Sequence, residues 1–452
     1  MNKKTLQLIA RYAFISYCFL ILVETIFHSI TLLNSPQDKD FCSFNISDWL
    51  INYEGGFVRR GFIGQNLLEC YNIMPYDIIT TIYIITFATT ILLFILFFYQ
   101  FYKHKLSFLL LPTVLMLGCY ASTDLTWFRR DALMLLMIFT TLYTYRKYLS
   151  STSLKWLLHI LFYLSGIMVI LTHEAGFLCF VPFIFIYYLY KDNDKKPLTN
   201  RIASATIFLS PLIITFIATC YYKGDATVGL NIWQSWGPYM QQRFGEIQPL
   251  GKGIEALNWD MRDTFITHFR LNYTSTPLWD INLIPNNRIV IYKPIMWSII
   301  YIMVYYLCIN VNKIRLFKYE LPPNNHPIKN YLPQVLIIQF ISLLPLFTFL
   351  SCDLKRIIMY WTLTSFFICF QLLSLKKQLN IPFISTTSNS VSHFMQHNKV
   401  CGNSITFILC VLCIAVPFAG FKASQLFSTS VIGNTLYIIN DIVIPNLKAM
   451  LS

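Results

Sequence analysis

The stretch Thr123-Asp124-Leu125-Thr126-Trp127-Phe128-Arg129-Arg130-Asp131 lies between two apolar runs, Ser107 to Tyr120 and Ala132 to Tyr145. Each run is about fourteen residues long, so as a helix it spans about 21 Å against a hydrocarbon core of about 30 Å. If both runs cross a membrane, a turn carrying two arginines and two aspartates cannot reach far into bulk water. It must sit recessed among other helices. Charge at such depth is costly, and its default reading is functional.

Composition sets the class around that turn. The chain has 452 residues, 56% hydrophobic and only 12% charged, with a mean hydropathy of +0.53. A soluble domain of this size could not cover its surface with so little charge. The expectation is an all-α polytopic transmembrane helical bundle, a single integral membrane domain over residues 1–452 with the lipid bilayer as its first partner. The net charge of +14 is not read as a nucleic-acid signal, because the charges sort by membrane side. The cysteines read as small apolar residues within helices. Cys42 and Cys70 share one loop and could form a disulfide. Met-Asn-Lys-Lys leads into a long apolar run without a small-residue cleavage site, which predicts a retained first helix.

About eleven spans are expected, at 9–33, 77–102, 107–121, 131–145, 155–171, 175–190, 203–221, 294–311, 332–350, 357–375 and 404–421. With the N-terminus cytoplasmic, every inner segment holds lysine or arginine, as the positive-inside rule requires. The outer face then has two larger loops, 34–76 and 222–293, and short turns near 122–130, 172–174 and 351–356. Segment 376–403 is a cytoplasmic loop, in which His393 and His397 read as solvated rather than metal-binding. Arg129-Arg130 and Lys355-Arg356 stand in short outer turns, where the bias disfavours them. The segment 422–452 is expected outside.

Four clusters carry chemistry on that face. The first, Asp48-Trp49-Leu50-Ile51-Asn52-Tyr53-Glu54-Gly55-Gly56-Phe57-Val58-Arg59-Arg60-Gly61, pairs a carboxylate with an arginine pair. Its aromatics suggest a helix lying at the membrane interface, and its glycines a close backbone approach or a positive-φ turn. The opening stretch is the second cluster; its competing reading is an internal ion pair, Arg130 with Asp131 or Asp124. The third, Leu171-Thr172-His173-Glu174-Ala175-Gly176, is no zinc-protease motif because position 177 is Phe. His173 there could exchange a proton near neutral pH, or simply pack against a backbone carbonyl. Cys352-Asp353-Leu354-Lys355-Arg356 is the fourth, and Glu24 and His28 could join it or pair with each other.

Together the clusters describe a polar cavity open outward with an arginine excess, which suits an anionic ligand on a lipid tail such as a polyprenyl diphosphate. The candidate acid–base groups are Glu54, His173, Glu174, Asp124 and Asp131. The candidate diphosphate ligands are Arg59, Arg60, Arg129, Arg130, Lys355 and Arg356. Trp233, Trp236, Trp259 and Trp279 in loop 222–293 suit either sugar stacking or interfacial anchoring. No metal site is assigned; Asp38-Lys39-Asp40 has the shape of a metal–nucleotide triplet, which leaves a divalent metal open without support. Asn45-Ile46-Ser47 and Asn272-Tyr273-Thr274 fit glycosylation sequons.

This pattern resembles the integral-membrane glycosyltransferases of the GT-C type, and more narrowly the O-antigen (Wzy-type) polysaccharide polymerases. The likeness covers the topology of nearly the whole chain but only short motifs, and the repeated long-spaced Arg…Gly element of some polymerases is absent. It implies an outer-facing site using polyprenyl-linked glycan as donor and acceptor, and no nucleic acid. Arg129, Arg130, Arg59, Arg60 and Arg356 would engage the diphosphate, and Glu54 or Asp48 would be the carboxylate that follows the first span. It also implies the inner membrane of a bacterium, with a chain-length regulator or flippase as companion proteins. Replacing Arg129 or Arg130 by Ala is then expected to abolish polymer while leaving the protein inserted. The competing classes are a lipid-linked oligosaccharide flippase or transporter and an outer-face lipid-modifying transferase.

Overall fold

The computed structural model describes residues 41–104, 106, 129–190, 197–273, 327–351 and 354–372, with separate positions between 298 and 308. The described residues are helical, with no strand among them. Seven of the expected spans fall on described helices. Spans 9–33, 107–121 and 404–421 lie outside the described residues, and 294–311 is described only at separate positions.

The chain opens with α1 (Phe44–Ser47), a 3-10 turn at Asp48–Leu50 and α2 (Gly61–Ile73). α3 (Ile78–Lys103) begins where Asp77 accepts a hydrogen bond from the Thr80 N–H at 3.1 Å. α4 (Asp131–Ser150), α5 (Lys155–Thr172) and α6 (Ala175–Tyr190) follow, joined by short turns. α7 (Leu198–Tyr221) starts immediately after Pro197, whose fixed φ suits a helix start. Four short helices come next: α8 (Ala226–Ser235), α9 (Gly237–Phe244), α10 (Lys252–Glu255) and α11 (Met261–Tyr273). The last described helices are α12 (Pro327–Pro345), running into a π-helical turn at Leu346–Leu350, and α13 (Leu354–Gln371).

Among the described residues, four helical stretches are long and apolar enough to cross a membrane: Ile78–Lys103, Lys155–Thr172, Leu198–Tyr221 and Tyr331–Thr348. α5 shows why. Trp156, Ile160, Leu164 and Met168 are exposed while Phe162, Val169 and Ile170 are buried, so the helix is apolar all round. A water-facing surface would not tolerate that, and lipid would. α4 is different. It runs past Tyr145 through Arg146 and Lys147 to Ser150, about 30 Å in all. The fourteen-residue run expected from apolar residues alone was too short, because long basic side chains at a helix end can extend to polar surroundings without breaking the helix. Recession of the Arg130 turn therefore rests on its burial, not on the length of α4.

α4 is the hub of the bundle, packing against α3, α5, α6 and α13. Its N-terminal residues, Arg130 and Asp131, are consequently among the most enclosed charges of the described chain, at 1% and 2% exposure. Over this end lies a layer built by two segments far apart in sequence. Gly253 N–H donates to Ser47 Oγ at 2.8 Å, Trp236 Nε1 to the Leu50 carbonyl at 2.8 Å, and Asn52 to Ser235 Oγ at 2.8 Å. Trp49, Leu50 and Ile51 are buried beneath that layer. This corrects the expectation of an interfacial helix at 48–61: Trp49 is buried in protein and Tyr53 half-buried, and only Phe57 of the aromatics there is exposed. Gly61 permits the fold locally, since a Cβ on it would lie 2.3 Å from the Tyr53 ring. Gly56 adopts φ +107°, which L side chains rarely reach.

Candidate functional site

The four sequence clusters meet at one end of α4. Arg60, at the start of α2, grips Glu174 in a fork, Nε to Oε2 at 2.8 Å and Nη2 to Oε1 at 2.5 Å. Its Nη1 also lies 3.5 Å from Asp48 Oδ1. Arg130 donates from Nε to Asp48 Oδ2 at 3.0 Å, with Nη2 2.8 Å from Oδ1 in a close ion pair. Arg356 Nη1 lies 3.6 Å from Asp131 Oδ1, and Tyr360, one turn further along α13, donates its hydroxyl proton to the same carboxylate. Arg59 Nη1 is 3.7 Å from Glu174. One residue from each cluster is thus within direct or one-residue reach of the others.

Backbone strain sits at the centre. Arg60 has φ 67° and ψ 6°, and it has the one positive φ among the described non-glycine residues. That conformation costs about 1–2 kcal/mol for a residue with a Cβ. It turns the Arg60 carbonyl onto Arg130 Nη1 at 2.7 Å while the side chain reaches Glu174. Strain of this kind collects at functional sites when the surroundings hold it in place. The π-helical turn at Leu346–Leu350, next to the fourth cluster, is a second departure of a type enriched at such sites.

Charge states follow from geometry. Burial pushes the Asp48 carboxyl up, but Arg130 and Arg60 outweigh it and hold the group at about 2. Burial opposes ionisation of Glu174 too, yet Arg60 and Arg59 hold it well below the usual carboxylate range. Burial and the neighbouring Arg60 charge press His173 down to about 3. Its Nδ1 accepts the Ala175 N–H at 3.2 Å. The 3.5 Å approach of Nδ1 to Glu174 Oε2 is therefore no ion pair, because a nitrogen that accepts carries no proton. His173 is neutral, with its proton on Nε2, and the positive end of α6 favours that state. Four guanidinium groups then face three carboxylates, leaving positive charge in excess among the described residues.

Among the described residues, Arg59 Nε and Tyr53 Oη find no hydrogen-bond partner, while Asp48 Oδ1 and Arg130 Nη2 meet each other as an ion pair. Burial raises the Tyr53 hydroxyl to about 12, against the pull of the Arg130 charge. Unsatisfied donors are costly in a folded interior, and two of them beside surplus positive charge suit an anionic or hydroxyl-rich ligand.

Several expected residues stand elsewhere. Glu54 is exposed and receives a hydrogen bond from Gln65 at 3.4 Å, so Asp48 is the first-loop carboxylate in the cluster. Arg129 donates to Asn45 Oδ1 at 3.0 Å and stacks over Phe44 at 4.8 Å. Trp233 and Trp236 are core residues whose indole N–H groups bond the Gln248 and Leu50 carbonyls, so neither offers a face to a sugar. Cys42 and Cys70 are free thiols, and Cys42 donates to the Pro249 carbonyl at 3.2 Å. Asp124, Asp353, Glu24, His28, Asp38, Asp40 and Trp279, and the Lys355 side chain, lie outside the described residues. Tyr360 was missed, although its position four residues after Arg356 placed it on the same helix face. Among the described residues no group of three His, Cys, Asp or Glu could hold a metal.

No family model, no curated protein and no solved structure matches the chain.

Proposed function

We propose that the chain is a membrane glycosyltransferase of polymerase type, acting on polyprenyl-diphosphate-linked sugars in cell-surface polysaccharide synthesis, O-antigen or capsule. The observation that carries this reading is the meeting of Arg59, Arg60, Arg130 and Arg356 around three carboxylates, with no hydrogen-bond partner for Arg59 Nε among the described residues. Arg59, Arg60 and Arg356 are the partly exposed members, at 22%, 17% and 21%. They would hold the diphosphate and offset charge as it leaves. Glu174, 18% exposed, would take the proton of the acceptor hydroxyl. His173 Nδ1 is already occupied, so His173 would act as a hydrogen-bond donor through Nε2 rather than as the base. Asp48 and Arg130 would position the others.

Purified protein given a polyprenyl-diphosphate-linked repeat unit should extend it into a ladder of chains. Arg60→Ala should lower the rate by about 100-fold or more, the scale of losing one preorganised charged donor, with Arg60→Lys giving partial recovery. Absence of chain growth by the wild type, or a normal ladder from Arg60→Ala, would remove the proposal. A second reading, translocation of lipid-linked oligosaccharide, is favoured by the helix break at 346–351 beside the site. The same preparation in vesicles separates the two, since translocation moves the substrate without forming a glycosidic bond.

A further inference from the structure

We infer that Glu174 is a built-in stand-in for the phosphate-type anion, which displaces it from the Arg59–Arg60 fork and thereby turns it into the proton acceptor. The inference rests on the transferase reading and adds the order of events at its centre. The carboxylate presents two oxygens to Arg60 in the planar, bidentate manner in which guanidinium groups bind phosphate oxygens. It lies within reach of Arg59 as well. Any anion entering the partly exposed end of the cluster meets the same donors. Asp48 and Asp131, by contrast, are sealed and hold their own partners.

While gripped, Glu174 is a poor base, because two arginines stabilise its ionised form. The titratable and charged groups facing it among the described residues are Arg59 and Arg60 from the first loop, the neutral His173 on its own turn, and the Cys220 thiol from α7. An arriving diphosphate takes the guanidinium protons and places negative charge beside the freed carboxylate. Both changes favour protonation of Glu174. The acceptor hydroxyl then loses its proton to Glu174 as its oxygen bonds to the anomeric carbon. The bond from that carbon to the diphosphate oxygen breaks with both electrons going to the departing polyprenyl diphosphate, which the arginines hold. The base is thus idle until the donor is seated, held by the arginines it later yields.

The test is pyrophosphate binding to the purified full-length protein in nanodiscs, by titration calorimetry. Glu174→Gln should bind pyrophosphate about 10-fold more tightly than wild type, because the internal competitor has lost its charge, a coupling of ordinary allosteric size. Glu174→Asp, which withdraws the carboxylate by one methylene and preserves its charge, should fall between them and guards against misfolding of the Gln variant. Wild type, and to a lesser extent Glu174→Asp, should take up additional protons on binding while Glu174→Gln should not, read from the dependence of the heat on buffer ionisation. Equal or weaker binding by both variants overturns the displacement while leaving an anion site intact. No binding by any of the three removes the anion site itself, and with it the reading beneath. Nanodiscs of zwitterionic and of anionic phospholipid distinguish the source of the phosphate. If the variants' gain vanishes in anionic discs, lipid headgroups fill the fork and the diphosphate assignment fails.

Discussion

Two arginine–carboxylate pairs lie within a few ångströms of each other and differ in one respect, their access to surroundings. Arg130 and Asp48 are 1% and 7% exposed, and Arg130 also holds the Arg60 carbonyl. Arg60 and Glu174 are 17% and 18% exposed, and Glu174 is shared with Arg59. The sealed pair can exchange with nothing, so its work is to fix the left-handed Arg60 backbone. The open pair can trade partners. Similar chemistry thus gives scaffold in one place and a candidate binding fork in the other, and burial decides which.

The sharpest way to break that comparison is Arg130→Ala. It leaves Asp48 buried and charged, which costs about 3–5 kcal/mol, so the variant should show a large fall in melting temperature and poor recovery from membranes. This revises the expectation that the residue could be removed without harm to the protein. Normal melting with lost activity would place Arg130 among the ligand-binding groups instead. His173 offers a second contrast through pH. Its folded-state value of about 3 lies below the usual 6.5, so the unfolded chain takes up a proton that the folded chain refuses. Its contribution is complete above about pH 6.5 and fades as pH falls toward 3, by a few kcal/mol. Asp48, held at about 2, adds a loss only below about pH 4. A melting curve of His173→Asn against pH should lack the upper part of that fall; an unchanged profile would mean the imidazole takes up its proton as readily folded as unfolded. The smallest effect belongs to Glu54→Gln. As an exposed group bonded to Gln65, it should shift stability by less than about 0.5 kcal/mol and leave chain growth unaltered. Loss of activity there would move the candidate carboxylate back to the first loop's surface.

Helical class and the meeting of the four clusters were legible because apolar runs end at charged turns, and charges enclosed in an apolar helical bundle must find one another. Which carboxylate of the first loop turns inward was not legible. Asp48 and Glu54 are separated by six residues, and the choice is made by the 3-10 turn at 48–50 and by residues near 235 and 253 that pack over it. The tryptophans of the long loop misled for the same reason. Trp236 in isolation suits lipid, sugar or core, and only the Leu50 carbonyl at 2.8 Å settles it. The fate of Cys42 was decided by Pro249, a neighbour that no spacing rule could supply.

The bond between Ser47 and Gly253, together with that between Arg59 N–H and the Tyr222 carbonyl at 2.9 Å, carries a consequence for biogenesis. Residues 42–60 leave the ribosome long before residues 222–257, and domains assemble in the order in which their parts become available. A nascent chain ending at Tyr221 already has Asp48, Arg60, Arg130 and Glu174, yet nothing to roof them. The site therefore matures late in synthesis, and until then its first loop waits with its apolar residues uncovered.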